Sequence, residues 1–419
     1  MREVYVLGTS CTHFGKRPDD SFKDLTREAY LGALSDAGME RGDTIEQGWF
    51  GNCGMGTWGQ GCIRGQVCFT PLVREGLFPA RVPIINVEGG CATASMAFHG
   101  AFKDIASGAA DVSLALGVEK LTIPDDPARV QEIFCSAIDN FDPDEWHQYY
   151  AKRSAETGKP FDPQAGGGTI FMDTYAMQAA WHMKAHGTTQ EQIAAGASKN
   201  HGHGALNPKA QYRFEVSVDD VLADREISWP LTRAMCSPIG DGAAAAILCS
   251  REHLERCAPE VRGRAVKVLA SELTGGMYRE PHEPGLSRVA AQKAYRRAGI
   301  GPGDVDVVEL HDATSFCEIY QLEMLGFAED GQGGPMVASG ETALGGRLPV
   351  NLSGGLVSKG HPVGATGLSM IHELSLQLRG EGGARQADGA RIGLAENGGG
   401  VIGFEEAACS VIVLEGAGA

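Results

Sequence analysis

No stretch of this 419-residue sequence approaches the ~20 consecutive apolar residues that cross a bilayer, so no membrane role is expected. Positive charge is scarce. Against 53 Asp and Glu there are 36 Lys and Arg, and the resulting formal net charge of −17 would repel a polyanion over most of the surface. Nucleic acid is therefore not an expected partner, and an anionic ligand needs a local basic patch. No CxxC pair occurs, and the spacing from Cys62 to Cys68 is not that of a zinc knuckle, so no metal is expected. The opening MREVYVLGTS lacks the basic, apolar and small-residue succession of a secretory signal. An odd count of 11 cysteines without that signal fits reduced thiols. The expectation is a soluble, cytoplasmic protein.

What is present is ordinary globular material, with 43% apolar residues and length enough for two full-sized domains. Its 58 glycines stand in short runs between apolar segments, where they mark tight turns and close backbone approaches. A strand pattern (Val4 to Gly8), an amphipathic helix pattern (Ser21 to Ala37) and a strand near Gly48 to Asn52 lead to VPIINV. A glycine turn, a helix from about Ala92 to Ser107 and the strand DVSLALGVEKL follow. From about residue 264 the order recurs in AVKVLASEL, a helix from Ser287 to Ala298, DVDVVELHD, a glycine-rich turn, a helix from Gly364 to Arg379, ARIGLAEN and ACSVIVLE.

Two copies of one β/α unit account for this order, and such alternation builds sheets covered by helices. The segments CATASMAFHGAF and GATGLSMIHEL are rich in small residues and apolar on nearly all sides, which suits helices held between two sheets. The predicted fold is α/β, five-layered α-β-α-β-α. Residues 1–120 and 231–260 form the first half and 261–419 the second. Residues 121–230, with Trp146, His147, Tyr149, Tyr150, Trp181 and His182, read as an inserted loop subdomain that serves as a lid or substrate-binding unit.

Cys91 follows a strand and the Gly89–Gly90 turn and opens a helix. Unpaired amides and the helix dipole are expected there to lower its thiol pKa and favour the thiolate. In the second half SKGHPVGATG stands at the matching turn, which sets His361 at the same sheet edge as a base for Cys91.

The segments NVEGGCATAS, YAMQAAWHMKAHGTTQEQIAAGASKNHGHGALNPKAQY, CSPIGDGAAAAIL, ELHDATSF, LGGRLPVNLSGGLVSKGHPVGATG and ENGGG cover essentially the whole chain in order. In these segments the sequence resembles the thiolase superfamily, within it the sterol-carrier-protein-type and archaeal branch. The resemblance implies the thiolase fold and an oligomeric enzyme with a homodimeric core. It further implies ping-pong acyl transfer between β-ketoacyl-CoA and coenzyme A, with CoA as substrate and no permanently bound cofactor. Carried over by position, Cys91 is the acylated nucleophile and His361 its activating base. His311 surrounds the thioester oxygen together with His361, and the backbone amides of Cys91 and Gly398 form a second oxyanion hole.

The sequence departs from that family where thiolases carry a second cysteine. Glu396 stands at one such position and Ala313 at the other, and Cys317, four residues beyond Ala313, reads as a packing residue. Glu396 is then the candidate acid/base, since a carboxyl in a partly desolvated pocket can have its pKa raised toward neutrality. Lys199, Lys209, Arg213 and Arg233 could meet CoA phosphates but read individually as surface charges. Branch members that lack the second cysteine resemble thiolases paired with a small zinc-ribbon and OB-fold subunit, including those that split benzoylsuccinyl-CoA. The insert, rich in aromatics and without a long aliphatic run, points to a compact or aromatic acyl group, and favourable thiolysis to a degradative pathway. The alternatives are a condensing enzyme of ketoacyl synthase type, disfavoured because ENGGG stands where its asparagine segment belongs, and a non-catalytic acyl-CoA-binding homologue.

Overall fold

A computed structural model describes residues 2–123, 126–161 and 170–417. The first half contributes β1 (Val4–Cys11), β2 (Gln47–Gly51), β3 (Ile84–Val87) and β4 (Val112–Glu119), then the small hairpin β5 (Glu226–Ser228) and β6 (Leu231–Thr232), and β7 (Gly242–Ser250). The second contributes β8 (Val266–Gly275), β9 (Val307–Glu309), β10 (Ile392–Gly399) and β11 (Ala408–Glu415).

Side-chain parity along the strands sets the layers. In β7, Ala244, Ala246 and Leu248 face a central apolar core, while Ala243, Ala245, Ile247 and Cys249 face an outer one. In β11, Ile412 and Leu414 join the same central core, while Cys409, Val411 and Val413 face a different outer one. Three cores separated by strands with both faces buried give the five expected layers.

The central layer is the helix Thr93–Ser107 beside the helix Thr366–Leu378, hereafter the nucleophile helix and the histidine helix. A Cβ at Gly367 would lie 2.0 Å from Ser95 Oγ, so the two helices can approach there only because that position has no side chain. At the periphery the helix Phe22–Asp36 begins where its pattern indicates, with Ser21 and Asp24 forming a reciprocal capping box.

Two features differ from the sequence reading. The halves are not separate sheets: β1 pairs with β7 along its length and with β8 at Tyr5↔Lys267 and Val6↔Val266, giving one nine-stranded order β3-β2-β4-β7-β1-β8-β11-β10-β9. A bulge between Val6 and Gly8 bends β1 so that it serves both halves.

The insert, expected to be loop, is largely helical, with helices Pro127–Cys135, Pro143–Thr157, Ile170–His186, Gln190–Ala205 and Val218–Ala223; its residues 124–125 and 162–169 lie outside the described residues. Tyr150 is core, donating to Gly403 O at 2.7 Å, and Trp146, Tyr149 and Trp181 pack against that core. His182 is tied between Thr188 Oγ1 at 2.8 Å and Glu323 Oε2 at 2.9 Å. These aromatics build the subdomain and do not line the cavity described below. Among the described residues no helix is long and apolar enough to cross a membrane.

Burial on this scale leaves a titration signature. It holds His99, His311 and His372 down at about 4 and His203 at about 3. It also pushes Glu119 and Glu406 up to about 7 and Glu396 to about 8. As pH falls from 6.5 toward 4, unfolded histidines bind protons that the folded ones refuse, so stability drops. As pH rises from 4.5 toward 8, the unfolded chain has shed carboxyl protons that the folded chain keeps, so stability drops again. Among the described residues nine histidines are held down and six carboxyls pushed up, so the histidines outweigh the carboxyls where the windows overlap. Thermal melts from about pH 4 to about pH 9 are expected to peak close to the ordinary histidine pKa of 6.5. A melting temperature that climbs steadily to pH 8 would contradict the carboxyl assignments.

Candidate active site

Cys91 sits in a single turn, Gly90–Ala92, that joins β3 to the nucleophile helix. Gly90 takes a left-handed φ of 56°, and a Cβ there would fall 2.5 Å from Gly400 N. A Cβ at Gly399 would fall 2.2 Å from Ala92 N and 2.7 Å from Cys91 N. The GGC and GGG runs are thus two halves of one close backbone approach, which seats the end of β10 directly on the nucleophile turn. At Gly398 a Cβ would instead meet the Glu406 side chain at 2.5 Å, so the glycine run also leaves room for that carboxyl.

His361 arrives on the turn before the histidine helix. Its Nε2 lies 3.1 Å from Cys91 Sγ, and its Nδ1 lies 2.7 Å from Thr366 Oγ1. The Thr366 hydroxyl donates its one hydrogen to Pro362 O at 3.1 Å. It must therefore accept from Nδ1–H, which leaves the Nε2 lone pair facing the thiol. The tautomer required of a base is set by a hydroxyl on the base's own helix.

His311 completes the cluster. Its ring centroid is 5.3 Å from that of His361, and its Nε2 is buried with no hydrogen-bond partner. The side-chain ligand atoms of Cys91, His311 and His361 all lie within 4.8 Å of one another. Three segments separated by some 50 to 270 residues of chain meet at one point.

A buried polar scaffold holds the two histidine turns. Asp312 Oδ1 accepts from Leu356 N at 2.7 Å and its Oδ2 from Asn200 Nδ2 at 2.9 Å. Asn200 also donates to Glu318, which pairs with Lys199 at 2.5 Å. Asn351, in the left-handed region at φ 56°, accepts from Leu310 N at 2.7 Å. Lys199 is thereby a structural cation and not a phosphate contact. Cys317 lies in the outer core beside Thr314 Oγ1 at 3.4 Å, the packing residue it reads as.

The electrostatics reverse one expectation. Burial, followed by the nearby Glu406 carboxyl, pushes the Cys91 thiol up to about 12, and burial drives His361 well below its ordinary value. The nucleophile helix begins only at Thr93, so its positive end does not offset the loss of water around sulfur. At neutral pH the pair rests as thiol and neutral imidazole. Activation must then be a proton transfer to His361 during attack.

Glu396 is placed differently from its expected role. It is fully buried on the outer-core side of β10, accepting from His311 N at 3.2 Å and from Cys409 Sγ at 3.4 Å, and it does not line the cavity. Ala313, at the other second-cysteine position, does face the cavity. The carboxyls whose fields reach Cys91 are Glu406 and, more weakly, Glu119, and no motif signalled either. Glu406 became visible only once β11 folded back against β10.

The cavity above Cys91 encloses about 530 Å³. Its walls are mostly apolar, with Ile133, Phe134, Phe171, Met172, Tyr175 and Val363 among them. Arg225 and Arg233 also border it, Arg233 paired with Asp224 at 2.9 Å. Of the basic residues named from sequence only Arg233 reaches this cavity; Lys209 lines a second one beside the histidine helix, and Arg213 is exposed.

Comparison with known proteins gives a consistent picture. The family model described as "Thiolase, N-terminal domain" matches residues 4–224, and that described as "Thiolase C-terminal domain-like" matches residues 282–413. The chain is 38% identical over 410 residues to an acetyl-CoA acetyltransferase of Methanothermobacter thermautotrophicus, covering 96% of this chain and 98% of that one. To sterol carrier protein 2 of Homo sapiens it is 36% identical, covering 98% and 74%. To benzoylsuccinyl-CoA thiolase subunit BbsB of Thauera aromatica it is 32% identical, covering 90% and 89%. Among solved structures an Ltp2-ChsH2(DUF35) aldolase superposes with a TM-score of 0.77 at 21% identity, over 99% of this chain and 98% of that one, a likeness of fold.

Proposed function

The chain belongs to the thiolase family, and from that premise we propose that it is an acyltransferase that cleaves or forms β-ketoacyl-CoA through a thioester on Cys91. The observation that carries this is the 3.1 Å contact between Cys91 Sγ and His361 Nε2 at the floor of an apolar cavity.

In the cleavage direction the Cys91 proton passes to His361 Nε2 as sulfur attacks the β-keto carbon. The carbon–carbon bond then breaks, leaving an acyl group on Cys91 and an acetyl-CoA-type enolate that takes up a proton. Free CoA next gives its thiol proton to His361 and displaces the acyl group as a new thioester, and the expelled Cys91 sulfur takes that proton back from His361. His311 and His361 together surround the enolate oxygen, and the Cys91 and Gly398 amides receive the oxyanion formed at the attacked carbon.

We place proton delivery to the enolate at the His311–His361 pair and treat Glu396 as a positioning residue that holds the His311 backbone. Glu396→Gln keeps an acceptor oxygen for that amide. It should cost no more than one hydrogen bond, about 1 kcal/mol or roughly fivefold in turnover. A fall of ~10²–10⁴, with single-turnover acylation intact, would restore Glu396 as the acid/base.

The aromatic and apolar cavity wall supports a compact or aromatic acyl group, and the relative that is a benzoylsuccinyl-CoA thiolase subunit favours a degradative pathway. That relative, named as a subunit, and the aldolase named with a DUF35 protein support a small accessory subunit, for which the proposal takes a zinc-ribbon and OB-fold type on a homodimeric core. The proposal divides the chain into residues 1–120 with 231–260, the insert 121–230, and 261–419, in the cytoplasm. Its test is a panel of β-ketoacyl-CoA esters assayed with free CoA, with and without any co-purified subunit. Aromatic and short branched esters should turn over fastest, and failure of every ester, with no acyl mass on Cys91, would leave an acyl-CoA-binding homologue.

A further inference from the structure

The three groups that define the reaction centre also form a donor set of another kind. We propose that Cys91, His311 and His361 bind one zinc-class divalent cation, and that the bound ion reversibly shuts the enzyme off. The sequence gives no metal-ligand spacing because the donors lie on three distant segments. Only folding brings their ligand atoms within 4.8 Å of one another.

The two imidazoles are already in the form that a metal needs, and the thiol reaches it by losing one proton. His361 presents a bare Nε2, because Nδ1–H is committed to Thr366 Oγ1 at 2.7 Å and that hydroxyl to Pro362 O. This is the outer hydrogen bond that orients a ligating imidazole. His311 is 1% exposed, and its Nε2 points at no partner in the structure. A buried ring nitrogen without a partner is uncommon and calls for a ligand. Cys91 supplies sulfur, so the set is soft enough to prefer zinc over calcium or magnesium.

Distances are within reach. Zinc–sulfur and zinc–nitrogen bonds of roughly 2.3 and 2.0–2.1 Å place tetrahedral ligands about 3.4–3.6 Å apart. The Cys91–His361 contact, at 3.1 Å, lies a few tenths of an ångström below that range, and His311 has at most about an ångström to close by side-chain rotation. The fourth position opens into the cavity, where water or the thiolate of free CoA would complete the tetrahedron.

Binding is balanced by one proton. The resting Cys91 thiol releases its hydrogen to solvent as sulfur bonds the ion, and both imidazoles bind as neutral ligands without releasing any. Affinity therefore rises with pH. Occupation takes the nucleophile and its base together, so acyl transfer stops until a chelator removes the ion.

The test uses the purified 419-residue protein and Co²⁺ as an optical probe; it reads binding independently of the acyl-transfer reading, on which only the shut-off rests. Titration should give a saturable thiolate-to-cobalt charge-transfer band at one ion per chain, with the visible bands of tetrahedral cobalt and release of one proton. Zn²⁺ should displace the cobalt and protect Cys91 from iodoacetamide, and a chelator should reverse both. Thr366→Val, which removes the outer hydrogen bond, should weaken binding ~10–100-fold, and His311→Ala should lose the tetrahedral spectrum. Cys62 is exposed and Cys135 half-buried, so Cys91→Ser decides the location. It must abolish the band. A band that survives Cys91→Ser, or no saturable band in the wild type, overturns the proposal.

Discussion

Cys91→Ser should reduce acyl transfer by on the order of 10⁴-fold or more, the scale on which removal of a covalent nucleophile is felt. The fold should be unaffected, since the turn that carries Cys91 is shaped by Gly89, Gly90 and their contacts with Gly399 and Gly400. The chemical reason is specific to this site. The thiol already sits at about 12 through burial, and His361 alone takes its proton. A hydroxyl is a far weaker acid than a thiol, so the same single imidazole cannot generate an equivalent nucleophile within the lifetime of the complex. Intact-protein mass spectrometry after incubation with an acyl-CoA should show one acyl mass on wild type and none on the variant. An acyl mass found on Cys53 or Cys236, which also border the cavity, would remove Cys91 from the role.

His361→Ala carries the second large effect. Single-turnover acylation should fall by ~10²–10⁴, the usual range for loss of a general base. This variant also tests the charge state of the resting pair. Because burial holds the thiol near 12, alkylation of wild-type Cys91 should rise by about tenfold per pH unit from about pH 7 to about pH 9, without a plateau. In His361→Ala the same slope should persist at a lower rate throughout. A wild-type rate that levels off at neutral pH would mean a stable thiolate, and the helix terminus would then be the activating element after all.

The contrast between Cys91 and Glu396 shows what a linear reading can carry. Cys91 was legible because a strand, a glycine pair and a small-residue helix occur in immediate succession, and that local grammar dictates an elbow. His361 was legible for the same reason, in the second copy of the unit. Glu396 stands where the resemblance implies a second cysteine, and it lies on β10. What alignment could not supply was the direction of the side chain, which packs against the His311 amide and Cys409 on the far side of the strand. Ala313, on a turn, faces the cavity that Glu396 does not reach. The insert's aromatics divide in the same way: Tyr150 is core and Trp146 packs against it, while Phe134 and Phe171 line the cavity.

The sequence by itself determined the β/α alternation on either side of the insert, the two central helices and the glycine turns that carry Cys91 and His361. Those properties are set by local periodicity, glycine placement and burial pattern, each encoded within a few residues. The tertiary structure alone decided the charge state of Cys91, the tautomer of His361 and the unpartnered nitrogen of His311. It also decided the proximity of Glu406 and the closure of the halves into one sheet through β1 and β8. Desolvation and electrostatic fields depend on how much water is removed and on which distant groups fill its place. No segment of the chain contains that information until the others have packed around it.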